Sequence, residues 1–273
     1  MALTPEQLDH YQSAGYLVVR GVFSPARIGV LRDGIEALID RVLAGKCEIN
    51  WIDRDQRLPA RTGHLLHPDK YHPAFAQWLD EDLAPLLEAL VEPPLRHSLF
   101  GMLAGGGGQA YAQHWHRDIA RPGAADEADY LQRHDGHSVQ FNAPLQPGDR
   151  FLHIVPGSHT RASTTAELAA AQTDPPGSVD MPGALVVEME PGDIAVYNAN
   201  LWHRGWNPEG CLRWTMHSAF WQAGYGVMQH EWGQREALEH EEHLGQLPPV
   251  TRQYVQRYLA VYPEADPPSL FDI

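Results

Sequence analysis

Apolar residues recur with helical spacing in the first ninety residues of the chain. The clearest stripe has residues spaced three or four positions apart: Ile28, Leu31, Ile35, Leu38 and Ile39. Ser24-Pro25 supplies a capping residue and a proline at the first helical position, and the pattern predicts a helix that ends near Gly45. The same signal at Thr4-Pro5 predicts an earlier helix to about residue 15, followed by a short strand over 16–19. Residues 73–91 also have helical character.

Beyond Pro94 the pattern changes to short apolar or alternating runs separated by Gly, Pro and Asp turns. These runs predict strands at residues 95–103, 138–144, 152–155, 184–189, 194–197 and 212–220. Residues 229–262 return to helical composition. We therefore expect one domain over 1–273 that is mainly β with helical layers (α+β). It combines a helical N-terminal layer (1–94), a jelly-roll or cupin-like β-barrel core (95–222) and a C-terminal helical extension (223–273).

Composition narrows the possible partners. Hydrophobic residues make up 43% and charged residues 20% of the 273, which is typical of a folded enzyme. The net charge of -15 disfavours binding to nucleic acid and to anionic membrane surfaces. There is no run of about 18 apolar residues, and the N-terminus lacks the pattern of a secretory signal. We expect a cytoplasmic protein that acts on a small-molecule substrate, as a monomer or homodimer.

A candidate metal site begins with His114-Trp115-His116-Arg117-Asp118, which follows the glycines of residues 105–108. If this segment leads into a strand, His116 and Asp118 project to the same face. Two imidazoles and one carboxylate are the ligand set of non-haem iron(II) oxygenases. The third ligand must then come from a distant strand, and His203, which follows the predicted strand 194–197, is the best candidate.

Arg213 lies in an alternating strand ten residues after His203. A guanidinium that faces a barrel interior needs a carboxylate partner, since a buried unpaired charge is costly. That partner is either the distal carboxylate of 2-oxoglutarate or an Asp or Glu of the protein at the barrel rim. The spacing alone leaves both possibilities open.

Four segments together resemble the phytanoyl-CoA dioxygenase family of iron and 2-oxoglutarate oxygenases, which has a double-stranded β-helix fold. They are HWHRD at 114–118, SVQFN at 138–142, IVPGSH at 154–159, and PGDIAVYN with LWHRG within 191–205. An HxD motif alone is weak evidence, but these segments in this order are specific and span about 100 residues of the core.

The resemblance implies that His116, Asp118 and His203 bind Fe(II) and that Arg213 binds the 5-carboxylate of 2-oxoglutarate. It also suggests that Gln140 and Asn142 help to hold the co-substrate. Some family members have Ser or Thr two residues after the distal histidine, where this chain has Gly205. Thr215 is the residue that could supply that hydroxyl instead. The resemblance implies that His159 braces the barrel and is not a ligand.

The implied reaction consumes O2 and 2-oxoglutarate, releases succinate and carbon dioxide, and hydroxylates an unactivated C-H bond. Asp118 argues against halogenation, because related halogenases have a small residue at that position. We expect residues 51–72 and 120–137 to form the lid and pocket walls. The net charge disfavours a coenzyme A thioester, although Arg117, Arg121 and Arg133 could form a local basic patch for its phosphates.

Three alternatives remain. The spacing from Gly108 to His114 and His116 matches the start of a cupin motif, which would suit a metal-binding protein or enzyme that does not use 2-oxoglutarate. That motif requires a glutamate where this chain has Ala120 and Arg121, so His114 is better interpreted as pointing away from the metal. The three ligands also suit catalytic zinc, as in a hydrolase. An inactive scaffold of the same fold is the third alternative.

Overall fold

Two antiparallel sheets form the centre of the protein, for which the computed structural model describes residues 3–176 and 179–266. The strands are β1 (Tyr16–Val19), β2 (Trp51–Asp53), β3 (Leu58–Pro59), β4 (Leu95–Gly105), β5 (Tyr111–Ala112), β6 (Ser138–Pro144), β7 (Asp149–Ile154), β8 (Leu185–Met189), β9 (Ile194–Tyr197), β10 (His203–Asn207) and β11 (Arg213–Gln222). The larger sheet has the order β1-β9-β6-β11-β4 and the smaller one β5-β10-β7-β8, while β2 and β3 form a separate hairpin.

Helices come from both ends of the chain and from two segments between the strands. They are α1 (Pro5–Ala14), α2 (Pro25–Leu43), α3 (Pro73–Trp78), α4 (Ala84–Leu87), α5 (Glu127–His134), α6 (Thr165–Ala171), α7 (Arg235–Leu238), α8 (Glu241–Gln246) and α9 (Pro249–Ala260). A π-helical turn, Leu79–Leu83, joins α3 to α4. No helix within the described ranges is long and apolar enough to cross a membrane.

Strand β6 shows how the larger sheet separates the core from the cavity. All of its residues are buried, yet successive side chains point to opposite faces. Val139 and Phe141 pack in the hydrophobic core that contains residues of α2, α3 and α9. Gln140 and Asn142 face the other way and line the internal cavity. A fully buried strand therefore carries both core packing and candidate chemistry.

The jelly-roll fold class expected from the sequence is confirmed. The predicted strand over 16–19 is β1, and it pairs with β9 at one edge of the larger sheet. The N-terminal region thus contributes a strand to the sheet. The pattern did not predict the short strands β5 and β10 or the helices α5 and α6. These elements have only two to eight residues each, too few to give a clear periodicity.

The prediction that a strand carries His116 and Asp118 is wrong. Residues 113–118 belong to no strand, and only an isolated bridge pairs His116 with His203. The backbone is nevertheless held by hydrogen bonds in both directions between these two residues, each with an N···O distance of 3.0 Å. The Asp118 amide donates to the Ala199 carbonyl at 3.0 Å. Pairing with the segment that leads into β10 therefore gives the two side chains their positions.

The outer edge of the larger sheet, β4, is covered by the segment that follows the β2–β3 hairpin. Thr62 and Met102 exchange backbone hydrogen bonds of 3.0 and 2.8 Å. The approach is so close that a Cβ added at Gly101 would lie 2.6 Å from the Thr62 carbonyl oxygen. Covering the edge in this way blocks intermolecular strand pairing and fixes the backbone on one side of the cavity.

A buried ion pair attaches the C-terminal region to the larger sheet. Arg96 on β4 donates two hydrogen bonds to the Glu231 carboxylate, at 2.7 and 3.0 Å, and both side chains are fully buried. Arg96 also donates to the backbone carbonyls of His97, Tyr225 and Gly226. The neighbouring residue His230 lines the cavity, so this pair also places a cavity residue.

Glu231→Gln should lower the free energy of unfolding by about 3–5 kcal/mol, because it leaves the buried Arg96 charge without its counter-ion. Urea unfolding followed by circular dichroism measures the change. The matched control is Glu239→Gln, which removes an exposed pair with Arg235 at 3.2 Å and should cost less than about 0.5 kcal/mol. Equal effects of the two substitutions would show that the buried pair does not hold the C-terminal region.

Candidate metal and co-substrate site

His116, Asp118 and His203 converge at one end of the cavity. Their potential ligand atoms all lie within 4.8 Å of one another. His116 Nε2 is 3.5 Å from one Asp118 carboxylate oxygen, and His203 Nε2 is 3.7 Å from the other. The two imidazole centroids are 4.3 Å apart. Side chains from distant parts of the sequence thus present two nitrogens and a carboxylate to a common point.

Backbone carbonyls determine which ring nitrogen of each histidine is free. His116 Nδ1 donates to the His114 carbonyl at 2.8 Å, and His203 Nδ1 donates to the Leu201 carbonyl at 2.9 Å. In each case the acceptor lies two residues before the histidine. With the proton on Nδ1, the neutral ring has its lone pair on Nε2, which is the atom that points to the common point. Both rings are therefore oriented as metal ligands.

The electrostatics of His203 and Asp118 favour the protonation states that bind a cation. Burial lowers the pKa of His203 to about 4, and the nearby His116 acts in the same direction. Burial raises the pKa of Asp118, but His203, His116 and the Gln140 amide together outweigh it and hold the pKa below its ordinary value. The site therefore contains a neutral His203 and an ionised Asp118 at neutral pH.

Gln140, on β6, holds the carboxylate of Asp118. Its Nε2 donates to one oxygen of Asp118. Asn142, two residues along the same face, accepts through Oδ1 from His217 Nδ1 at 2.9 Å. His217 also donates to the Phe141 carbonyl at 3.0 Å, and burial, reinforced by the Arg61 charge, lowers its pKa to about 3. The sheet face beside the triad thus carries two polar side chains, each hydrogen-bonded to a different cavity residue.

Arg213 is mounted rigidly at the start of β11. Its Nε donates to the Thr215 hydroxyl at 3.0 Å, and Thr215 in turn donates to Asp149. The Asp149 carboxylate lies 3.7 Å from Nε, and Nη1 donates to the Tyr111 hydroxyl. Nη2 is buried and has no hydrogen-bond partner among residues 3–176 and 179–266. One side of the guanidinium is therefore engaged by the protein, whereas Nη2 is not.

A single cavity of about 540 Å³ contains both the triad and Arg213. Gln140 and Asn142 line it as well, but Thr215 does not, because its buried hydroxyl is engaged by Arg213 and Asp149. The structure therefore brings every residue predicted for the site except Thr215 to the cavity wall, and it places Thr215 behind Arg213. A ligand with one oxygen-bearing group at Arg213 Nη2 and another at the point where the triad converges would fill part of this volume.

The departure at Gly205 has a structural explanation. A Cβ at this position would lie 2.7 Å from Gln113 Oε1, and the Gly205 amide donates to that same oxygen at 2.8 Å. Gln113 therefore occupies the space that a larger residue at 205 would need. Outside the triad, His114 is exposed, and His159 is buried against α1, where its Nε2 lies 3.1 Å from the Gln12 carbonyl oxygen.

Two expectations about the surroundings are wrong. Arg117 does not contribute to a basic patch, because it is buried and donates at 2.6 Å to the carbonyls of both Ser158 and Asn200. Residues 120–137 do not line the cavity. Their apolar side chains Tyr130 and Leu131 pack behind it, in a cluster with Ile119 and Trp221. By contrast, Ile52, Ala60 and Arg61 of the predicted lid do line the cavity.

Sequence reasoning missed several polar residues of the cavity, among them Tyr111, His217 and His230. Tyr111, which contacts Arg213, lies in a strand of two residues and gives no periodic signal. His230 comes from the C-terminal region and is positioned by tertiary packing. His217 could have been found, because the alternation that places Arg213 and Thr215 on one face of β11 also places His217 there.

Several solved structures share this fold. EctD from S. alaskensis, crystallised with 2-oxoglutarate and 5-hydroxyectoine, is 16% identical with a TM-score of 0.59, covering 82% of this chain and 78% of that one. The carbocyclase SnoK from nogalamycin biosynthesis is 18% identical with a TM-score of 0.60, covering 90% and 92%. HygX from Streptomyces hygroscopicus with iron bound is 21% identical with a TM-score of 0.58, covering 85% and 90%. At these identities the similarity shows the fold.

The fold and the site assign the protein to the class of iron and 2-oxoglutarate oxygenases. The model of the phytanoyl-CoA dioxygenase (PhyH) family matches residues 11–207, and the chain belongs to this family. This confirms the resemblance seen in the four sequence segments. No curated protein sequence matches the chain.

His116→Ala should weaken binding of Fe(II) at least about 100-fold, since losing even a residue that only supports a ligand typically costs about 10–100-fold. Anaerobic equilibrium dialysis against Fe(II) measures the affinity. His114→Ala is the matched control, because this exposed histidine contributes only its backbone carbonyl to the site. The His114→Ala protein should bind Fe(II) as tightly as the unaltered protein does. A loss of affinity in the control and not in His116→Ala would exclude this ligand set.

Proposed function

We propose that this protein is a dioxygenase that uses Fe(II) and 2-oxoglutarate to hydroxylate an unactivated C-H bond of a small-molecule substrate. His116, Asp118 and His203 hold the metal, and Arg213 binds the distal carboxylate of 2-oxoglutarate. The observation that carries this proposal is the presence of three metal-ligating atoms within 4.8 Å and a buried guanidinium in one cavity. A zinc hydrolase or a cupin without 2-oxoglutarate has no use for that guanidinium.

The donor set fits iron. Two imidazoles and one carboxylate are the donor set that would hold Fe(II) and would still leave coordination positions for co-substrate and oxygen. When bound, iron and 2-oxoglutarate supply an oxidising centre at the cost of decarboxylation, with succinate and carbon dioxide as products. A carboxylate at position 118 would occupy the coordination site that halogenases leave for a halide, which favours hydroxylation over halogenation.

The protein's own residues orient and enclose the reactants. Hydrogen bonds from Nδ1 to backbone carbonyls hold each ligand histidine with Nε2 toward the metal position. Gln140 holds the Asp118 carboxylate against rotation, and Thr215 with Asp149 holds Arg213. We assign Thr215 and Gln140 to positioning, and we assign Asn142 to the wall next to the co-substrate. Rigid placement of this kind lowers the entropic cost of bringing reactants together.

Asp118→Ala should abolish oxygen-dependent formation of succinate from 2-oxoglutarate, because the metal loses its one anionic ligand. Succinate is measured by chromatography after incubation with Fe(II), 2-oxoglutarate and air. Circular dichroism should show an unchanged fold, because the substitution removes only a carboxylate that faces the cavity. The unaltered protein should produce succinate even without a primary substrate, at a low rate. Undiminished succinate formation by Asp118→Ala would refute the assignment.

Arg213→Ala should raise the apparent requirement for 2-oxoglutarate at least about tenfold, or 1.4 kcal/mol, for the loss of a charge-assisted pair. The dependence of succinate formation on 2-oxoglutarate concentration gives this value. Arg150→Ala is the control, since that exposed arginine pairs at 3.8 Å with Glu188 on the outside of the barrel. An unchanged requirement in Arg213→Ala would place the anchor for the co-substrate elsewhere.

A further inference from the structure

The cavity has a charge opposite to that of the protein as a whole. The chain has a net charge of -15, yet the described residues that line the cavity include three arginines, Arg61, Arg204 and Arg213, and one acid, Asp118. Asp118 is assigned to the metal. The remaining lining is therefore cationic and favours anionic ligands against the field of the surrounding surface.

Two of the three guanidiniums have partners. Arg204 donates to Asp180 at 2.6 Å and lies between the rings of Trp115 and Trp206, each 4.6 Å from its guanidinium carbon. Arg213 is assigned to the co-substrate. Arg61, by contrast, makes no hydrogen bond or ion pair with any residue of the described ranges. One cation of the cavity is thus left over once metal and 2-oxoglutarate are accounted for.

The backbone holds Arg61 in place on both sides. The Ala60 amide donates to the Asn50 carbonyl at 2.9 Å, and Thr62 pairs with Met102 of β4 in both directions. Gly101 allows the close contact that this pairing needs. The side chain of Arg61 is exposed while its backbone is anchored on both sides. A cation on a fixed backbone at a cavity wall is suited to binding an anion that enters from solvent.

The other walls indicate the rest of the ligand. Away from the triad and Arg213, the lining is largely apolar and includes Ile52, Leu99, Leu103, Ile119, Ala219 and Trp221. Such a surface favours an aliphatic or aromatic body. The volume of about 540 Å³ must also contain 2-oxoglutarate, which limits the second ligand to a small molecule.

We propose that the primary substrate is a small organic acid with an apolar body, and that Arg61 binds its carboxylate. This inference rests on the proposed function, because it assigns the space that metal and co-substrate leave. A single unpaired guanidinium matches a single carboxylate. A coenzyme A thioester would bring several phosphate charges, and Arg117, one of the three arginines considered for them, is buried and engaged.

The test compares the binding of matched acids and amides by anaerobic calorimetry. The protein is first loaded with Fe(II) and saturating 2-oxoglutarate, so that Arg213 is occupied. The probes are phenylacetate, 3-phenylpropanoate and 4-phenylbutanoate, each compared with its own amide, which has the same shape and no charge. At least one acid should bind about fivefold or more tightly than its amide, the upper end of what an exposed ion pair contributes.

Arg61→Gln should reduce that ratio to about one and leave the affinity for the amide unchanged. Arg54→Gln is the matched control, because it removes the same charge from the same hairpin region. Arg54 does not line the cavity and stacks on Trp51 with its guanidinium carbon 5.9 Å from the ring centroid. The ratio should persist in this variant.

The proposal is overturned if no acid binds more tightly than its amide, if the preference persists in Arg61→Gln, or if Arg54→Gln removes it equally. Calorimetry of 2-oxoglutarate with the same three proteins separates this result from the proposed function. A protein that does not bind 2-oxoglutarate contradicts the proposed function itself. Binding of 2-oxoglutarate to all three proteins without a preference that depends on Arg61 contradicts only the assignment of the substrate.

Discussion

The antiparallel pairing of His116 with His203 is the constraint on which the rest of the site depends. Two backbone hydrogen bonds join these residues across 87 positions of sequence, and a third joins Asp118 to Ala199. These hydrogen bonds place the side chains of His116 and Asp118 beside that of His203. Hydrogen bonds from Nδ1 to backbone carbonyls then orient the imidazole rings of His116 and His203. The three donors are thereby held in position by the fold, which lowers the cost of binding a cation.

The larger sheet serves both stability and chemistry because its strands alternate. One face of β6 and β11 packs on the helical layers, and the other presents Gln140, Asn142, Arg213 and His217 to the cavity. Polar groups on a buried face are costly unless they are satisfied. Asp149, Thr215 and Tyr111 meet this requirement around Arg213, and only Nη2 is left without a partner among the described residues. In this interpretation, that unsatisfied group is the one that a ligand completes.

The cavity also separates local from global electrostatics. A chain with a net charge of -15 would repel anions at long range, but the cavity walls are rich in arginine. Salt screens the long-range field over about 8–10 Å, whereas a contact with a guanidinium inside a cavity is screened much less. A buried cavity cation such as Arg213 therefore acts on a bound anion more strongly than the distant surface charges do.

The sequence by itself determined the fold class, most of the long strands and the residues of the candidate triad. Long apolar alternation and short motifs around His116, Asp118 and His203 are local signals, which can be recognised without knowledge of the tertiary structure. The tertiary structure decided the rest. It replaced the strand expected to carry His116 and Asp118 with a single bridge, and it buried Arg117 among backbone carbonyls. It also brought Tyr111, Arg61 and His230 to the cavity. The sequence could not predict this arrangement, because contacts between residues far apart in the chain produce no periodic pattern.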